Sequence, residues 1–418
     1  MEFRFGKKAV NCEVSKENLM GVLEYSRHEV EPLKQILEQS ISNPIGKPRL
    51  IDLLKKNKPR DVVILVSDIT RSIADYSTIL GFLVSEIVDA GIDEKNIEFV
   101  VALGTHRKHT PEENGILYRD LYSDFRFSFH DCYNDLVSIG KTSTGLDVQV
   151  SKRVRTADFV IATGRVNFHY LAGFSGGRKA ILPGISSYET IRSNHCKLRR
   201  DGVASGRIES NIIAQEMDEA AQLFGVSYLL NVVETPDKQI AGVFCGDAVH
   251  AYKTAVEYFK SERISKIAKQ ADCAIVSAGG YPRDRTFYAG HKAINNAVNA
   301  VRQGGSIVLI SECEEGIGNP EFEKYMLSNG IDELLDYPEA KIQVGGHRVF
   351  KTSQLLKNYK IYVVSKLNSK VLSQMNFIPI KNIDSAIDQV KKNCGQDFKV
   401  YIIPDGRSIL PVVNGRCK

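Results

Sequence analysis

Residues Asp61–Gly91 read DVVILVSDITRSIADYSTILGFLVSEIVDAG. The first eight, Asp61 to Asp68, form a continuous apolar run closed by a carboxylate. Such a run, with no polar alternation, is expected of a parallel strand buried on both faces. Ile69-Thr70-Arg71 then makes a polar turn, and an amphipathic helix follows to Ala90, with Gly91 as its stop. The same cadence returns twice. Asn96 to Leu103 (NIEFVVAL) is a strand ending in Gly104-Thr105-His106. Thr110-Pro111-Glu112-Glu113 then opens a helix, with Thr as cap, Pro first and Glu third. Asp158 to Val166 is another strand. Strand, loop and helix in repetition give a parallel sheet with covering helices. Ligands of such sheets lie beyond the carboxyl ends of the strands. The loops at Asp68–Arg71, Gly104–His106 and Gly164–Lys179 should therefore meet at one edge.

Outside this series, residues 1–14 suggest a hairpin turning at Gly6-Lys7. Ser15 to Gln39 has a helical pattern interrupted by Pro32. Asn211 to Leu223 reads as a helix. Val226–Glu234 and Lys238–Cys245 read as a hairpin around Pro236-Asp237, and Asp247 to Gln270 as one long helix. A second strand–helix series follows, with strands at Cys273–Ala278, Ser306–Cys313, Lys360–Val364 and Lys399–Ile403. The expected fold is α/β with two domains, residues 1–265 and 266–403. Each has a mostly parallel sheet covered by helices, the active site lies in the cleft between them, and the tail 404–418 returns to the first.

Composition narrows the class. The chain has 418 residues, 43% hydrophobic and 25% charged, with a net charge of +5. That is the balance of an ordinary globular protein with more than one core. The small positive charge suits a small anionic ligand and gives no footprint for nucleic acid. Apolar runs are strand-sized, so no membrane span is expected. The opening MEFRFGKKAVNCEV alternates like a strand rather than a signal peptide. Eight scattered cysteines without Cys-x-x-Cys point to reduced thiols in a cytoplasm.

The richest chemistry lies in Gly164–His195, GRVNFHYLAGFSGGRKAILPGISSYETIRSNH. Gly173, Gly176 and Gly177 can adopt positive φ and let backbone amides approach an anion. Arg178 and Lys179 add charge there. Ser186-Ser187-Tyr188-Glu189 resembles a capping box that starts a helix ending at His195. The SGGRK run is not a P-loop, because no Ser or Thr follows the lysine. Lys179 could be a phosphate counterion, a Schiff-base amine or another covalent nucleophile. His195 could ligate a metal or end a helix favourably. Asp68-Ile-Thr-Arg71 could be a cap with an ion pair, or a grip on an oxyanion. His106 is a loop histidine, either simply solvated or functional, and His109 belongs to the turn into Thr110. Further on, Gly279–Arg285 with His291 and Lys292 forms a basic loop after a strand.

Taken together these pieces resemble the nickel-pincer lactate racemase family. They are Asp68-Ile-Thr-Arg71, Gly104-Thr-His106-Arg107, His169 with AGFSGGRKAILPG, Asn194-His195, and GGYPRD with Lys292, in family order over most of the chain. The resemblance implies a 2-hydroxy acid racemase or epimerase, an isomerase. Its cofactor would be the nickel-pincer nucleotide, a pyridinium-3-thioamide-5-thiocarboxylic acid mononucleotide carrying Ni(II). By the resemblance, Lys179 is the covalent attachment point and His195 the protein ligand to nickel. Asp68, Ile69, Thr70 and Arg71 hold the cofactor, and His106 and His169 are the acid/base pair. Arg71, Tyr288, Ala289 and Lys292 face the substrate. Proteins that make the cofactor become expected partners, and a homo-oligomer is possible.

The chemistry agrees. Inverting C2 of a 2-hydroxy acid breaks an unactivated C–H bond, more accessible as hydride to an electron-poor pyridinium than as a proton. The two enantiomers then offer their hydroxyls on opposite sides, so two bases are needed, and histidine suits. One departure stands out. The family's glutamine three residues before the second-domain lysine is Ala289 here, which favours a substrate larger or more polar than lactate. A phosphate-handling transferase using the SGGRK loop and a non-catalytic carrier of the nickel cofactor are the competing readings.

Overall fold

The protein is described here by a computed structural model, covering residues 1–25, 29–338 and 347–413. It divides into two compact units. One holds Arg27–Val203 and Arg207–Ser261; the other holds Met1–Ser26, Ala204–Gly206 and Glu262–Lys418.

The first unit is built on a six-stranded sheet. Its spatial order is Ile240–Gly246, Tyr228–Glu234, Phe159–Arg165, Val62–Val66, Ile97–Val101, Arg126–Phe129. All neighbours are parallel except the Tyr228–Glu234 and Ile240–Gly246 pair, the expected hairpin. The VVILV strand lies in the middle and every one of its residues is buried. That is why its sequence shows no alternation: both faces are covered. The helix Tyr76–Asp89 buries Tyr76, Ile79, Leu80, Leu83, Val84 and Ile87, one stripe at helical spacing, against Ile64, Val66 and Phe99. Each large apolar side chain so buried contributes about 1.5–3 kcal/mol. Gly91, at φ +90°, follows directly on the helix end. The Pro111–Tyr118 helix carries the full capping box at Thr110 and Glu113.

The second unit holds another six-stranded sheet, parallel throughout. Its order is Ile378–Ile380, Lys360–Val364, Val301–Ile310, Ala271–Ser277, Val400–Ile403, Leu19–Val22. Glu2–Phe5 and Lys8–Asn11 form the hairpin around Gly6-Lys7.

Three expectations need correction. Ser15–Gln39 is not a broken helix. Leu19–Val22 joins the edge of the second sheet, and helix begins only at Leu33, after Pro32. Pairing with Val400–Ile403 overrides a pattern that looked helical, and proline sets the later start. The long helix at 247–270 is His250–Arg263 followed at once by a strand, Ile264–Ile267. That strand pairs with Leu410–Val413. The tail therefore belongs to the second unit, as do the first 26 residues, which had been assigned with the first domain. Residues 414–418 of that tail lie outside the described ones.

Candidate active site

The Val62–Val66 strand delivers Asp68 to the sheet's carboxyl edge. A relay fixes the turn: the Ser67 N–H donates to Tyr76 Oη (2.9 Å), Tyr76 to Thr163 Oγ1 (2.5 Å), and Thr163 to the Leu65 carbonyl (2.7 Å). Tyr118 Oη donates to the Ser67 carbonyl at 2.8 Å. Asp68 is 1% exposed yet accepts four hydrogen bonds. Oδ1 takes the Thr70 N–H (2.7 Å) and the Thr70 hydroxyl (2.5 Å). Oδ2 takes Arg71 Nη1 (3.0 Å) and His106 Nδ1 (2.7 Å). Burial works to raise the Asp68 pKa. The His106 hydrogen bond, the Arg71 charge and the Thr70 hydroxyl outweigh it and hold the carboxyl well below the usual range. An ionised Asp68 can only accept, so His106 Nδ1 carries a hydrogen, and in the neutral ring the lone pair is on Nε2.

His109 is settled by the same geometry. Nε2 accepts from the Ile69 N–H at 3.0 Å, and Nδ1 lies 2.9 Å from Asn114 Oδ1. Both nitrogens hold the turn in place. Ile69 thus contributes its backbone.

The glycine run packs under the Phe159–Arg165 strand. Gly176 and Gly177 have φ of +82° and +50°. A Cβ on Gly177 would lie 2.6 Å from the Tyr252 ring, and one on Gly176 2.9 Å from Asn231 Oδ1. The Gly177 N–H donates to that Asn231 oxygen at 3.0 Å. Arg178 turns away from the cavity: it is buried, bonded to Asp218 (3.1 Å) and the Ala172 carbonyl (2.8 Å), and lies over the Tyr252 ring. Lys179 does the opposite. Its Nζ is buried without a hydrogen-bond partner among the described residues. Burial first, then the Arg71 and Arg178 cations, push the amine well below the usual lysine range, against the pull of Asp68. An amine in that setting favours its neutral, nucleophilic form.

The Asp68 turn and the glycine run line one pocket of about 530 Å3, its open mouth included. Asp68, Arg71, Arg165, Ser175 and Lys179 are among its walls; His106, His169 and His195 are not. Sequence reading missed Arg165, whose guanidinium is paired with Glu234 at 2.6 Å, and Asn231, whose Nδ2 is a second buried donor without a partner among the described residues. Both sit on strands that looked merely apolar.

His169 lies on the short strand Phe168–His169, paired with Gly173-Phe174. Its Nδ1 accepts from the N–H groups of Leu171 (3.3 Å) and Ala172 (3.1 Å). His195 ends the helix Tyr188–His195, capped by Ser187, whose hydroxyl accepts from Thr190. The expected capping box is not formed as written, because the third helical residue is Thr190 and not Glu189.

In the second unit, Tyr288 and Ala289 lie on the helix Phe287–Gly290 and Lys292 starts Lys292–Ala297. Arg348 stacks on Tyr288 (3.8 Å) and donates to its carbonyl at 2.7 Å. His291 is buried against Phe287 and Phe322, and burial, with Arg348 nearby, pushes its pKa well below the histidine range. It belongs to the core rather than to a basic wall. Arg283 is paired with Asp405.

Comparison with known proteins covers both units. A family model described as the lactate racemase N-terminal domain matches residues 5–206, and one described as the lactate racemase C-terminal domain matches 266–411. A lactate racemase of Thermoanaerobacterium thermosaccharolyticum is 31% identical, with 98% of each chain covered. One of Lactiplantibacillus plantarum is 29% identical over 98% of this chain and 99% of that one. The solved apoprotein of the Thermoanaerobacterium enzyme superposes with a TM-score of 0.91 at 28% identity, covering 98% and 99%. A Thermotoga maritima protein of 18% identity shares the fold, at a TM-score of 0.62 over 88% of this chain and all of that one.

Proposed function

The chain belongs to the lactate racemase family and is an isomerase of the racemase or epimerase type, and on that premise we propose that it inverts C2 of a 2-hydroxy acid with a nickel-pincer nucleotide tethered to Lys179. The observation that carries this reading is the buried Lys179 amine, without a partner among the described residues, in one pocket with the Asp68–Arg71 turn. A buried cation without a counterion costs several kcal/mol. A neutral amine that becomes part of a covalent adduct avoids that cost. Asn231 Nδ2 is a further buried donor without a partner among the described residues at the same glycine run, whose tight backbone tolerates no side chain at Gly176 or Gly177. The residues present therefore fit such a group.

When bound, the cofactor supplies an electron-poor ring able to accept hydride. The chain's own residues do the rest. Lys179 holds the ring by its amine. The Asp68 turn and the Ser175-Gly176 backbone bound the same pocket. His195 offers nickel an imidazole nitrogen. Arg71 spends only Nη1 on Asp68, which leaves its other nitrogens for a substrate carboxylate. His106 takes the hydroxyl proton of one enantiomer at Nε2, and His169 serves the other. Tyr288, Ala289 and Lys292 bear on substrate choice. Ala289, where lactate racemases carry glutamine, gives one amide fewer and more room, which favours a 2-hydroxy acid larger or more polar than lactate.

The test is mass spectrometry on protein made together with the cofactor-synthesis proteins. Active enzyme should carry one adduct, on Lys179, and Lys179→Ala should lose both adduct and activity. A fully active Lys179→Ala would sink the proposal. Assayed on lactate, a sugar acid and a hydroxydicarboxylate, the wild type should prefer one of the latter two. Ala289→Gln should move preference toward lactate by about fivefold, one hydrogen bond's worth of discrimination. Preference for lactate in the wild type would remove the substrate reading and leave the tether intact.

A further inference from the structure

The motif Asn194-His195 contains a residue to which the reading above gives no work. Asn194 is fully buried, between the helix Tyr188–His195 and the helix Ile212–Phe224. Its Nδ2 donates to the Ile213 carbonyl (3.2 Å) and to Glu216 Oε2 (2.9 Å). Glu216 is fully buried as well, and its other oxygen receives the Thr144 hydroxyl and the Lys197 ammonium. A carbonyl can only accept, and so can a carboxylate facing an ammonium. Both Nδ2 hydrogens of Asn194 are thus committed, and its amide cannot flip. Oδ1 is left as an acceptor, and His195 Nδ1 lies 3.1 Å from it.

We infer that Asn194, oriented by Glu216, is a positioning residue that holds His195 in the Nδ1–H tautomer, so that Nε2 carries the lone pair. This rests on the reading of His195 as the nickel ligand. A metal-binding imidazole needs its other nitrogen protonated and its ring angle fixed, work usually done by a carboxylate or a carbonyl. Here an amide does it. The carboxylate stands one residue further back, with Lys197 against it, so no net negative charge is placed beside the metal site. A purely structural role, tying two helices together, would leave the imidazole hydrogen unspecified.

The two roles are separated by nitrogen-15 NMR of histidine-labelled protein without cofactor, at mildly alkaline pH where the ring is neutral. Loss of one signal set in His195→Gln assigns the residue. The wild type should show the Nδ1–H pattern at His195. Asn194→Ala should shift it to a mixture dominated by the Nε2–H form that an unconstrained imidazole favours. The double variant Asn194→Asp with Glu216→Gln reverses the donor between 194 and 216, gives up the donor to the Ile213 carbonyl, keeps an acceptor on Nδ1, and should keep the wild-type pattern. If Asn194→Ala does not fold, the wild type and the double variant decide. An Nε2–H pattern in either of those, or an unchanged Nδ1–H pattern in Asn194→Ala, overturns the inference. Absence of an adduct on Lys179 would instead sink the cofactor reading and leave this tautomer result standing.

Discussion

His106 and His169 have the same chemistry and opposite supports. His106 is held through Nδ1 by a buried, ionised carboxylate, so its hydrogen sits on Nδ1 and Nε2 is ready to take a proton. His169 is held through Nδ1 by two peptide N–H groups, Leu171 and Ala172, so in the neutral ring its hydrogen sits on Nε2. For His169 to accept a proton at Nε2, its hydrogen must move to Nδ1 and those two N–H groups must turn away. One ring is preset as a base; the other has to rearrange. If the two rings serve mirror-image substrates, as proposed, the difference teaches that such a pair need not be built as mirror images. A carboxylate fixes the tautomer with the hydrogen on Nδ1 and favours the charged ring, whereas backbone donors fix the opposite tautomer and favour the neutral one.

Removing each ring in turn tests this comparison most severely. Both His106→Ala and His169→Ala should stop net racemisation, because on the proposed reading every turnover uses both rings. In single-turnover mixing with each pure enantiomer, followed by the cofactor's absorbance, the variants should fail on opposite enantiomers. The loss should be about 10²–10⁴-fold in the half-reaction of the missing ring, with His106→Ala toward the upper end because a preset base is removed. The same enantiomer lost in both variants would return one histidine to an ordinary loop role.

A smaller effect comes from the support alone. Asp68→Asn places an NH2 where two of four donors now meet an oxygen, and frees the His106 tautomer. It should slow the His106 half-reaction by roughly 10²-fold, the lower end of what loss of general-base action costs, and leave the His169 half-reaction within a few-fold. Equal slowing of both would mean that Asp68 supports the pocket as a whole. Stability gives an independent reading. The folded pKa of Asp68 lies below its unfolded value of about 4, so its contribution is present above that pH and is lost as pH falls through the folded value. Chemical denaturation should find Asp68→Asn less stable near neutrality, and its stability should fall less steeply below about pH 4 than the wild type's.

Much of this was legible in the chain, and the reasons for the rest are specific. The run VVILV announces a central strand because both its faces are buried, and the Tyr76–Asp89 helix and the Thr110 cap follow from spacing and capping chemistry. Leu19–Val22 and Ile264–Ile267 were not legible. Each is four residues long and becomes a strand only because a distant partner, Val400–Ile403 or Leu410–Val413, completes its ladder. At the site, Asp68, Arg71, His106 and Lys179 stand on loops, where a charged residue has no packing excuse. Arg165, Asn231 and Glu234 were hidden because they sit within strands and acquire meaning only through partners far along the chain. Arg178 and His291 erred the other way. Both looked available and both are consumed, Arg178 by Asp218 and the Ala172 carbonyl, His291 by the core.

The finest test of the comparison removes one hydroxyl. Thr70 Oγ1 donates to Asp68 Oδ1 at 2.5 Å, on the carboxylate oxygen that does not touch His106. Thr70→Val keeps the shape and the Thr70 backbone donor but withdraws that bond, together with the longer approach of the hydroxyl to His106 Nδ1 at 3.4 Å. Less stabilised as an anion, Asp68 should see its pKa rise toward the ordinary range, and with one anchor fewer its position against His106 should loosen slightly. One such bond is worth about 1 kcal/mol, or roughly fivefold in rate if all of it reached the transition state. The expected result is therefore a two- to fivefold loss in the His106 half-reaction, with the His169 half-reaction unchanged. Because Asp68 keeps its other three donors, the fold should survive, so a larger loss would mean that Thr70 itself touches the substrate or cofactor. No change in either half-reaction would mean that the bonds from Arg71, His106 and the Thr70 backbone already hold the carboxylate fully, and that the presetting of His106 does not depend on how many donors Asp68 has.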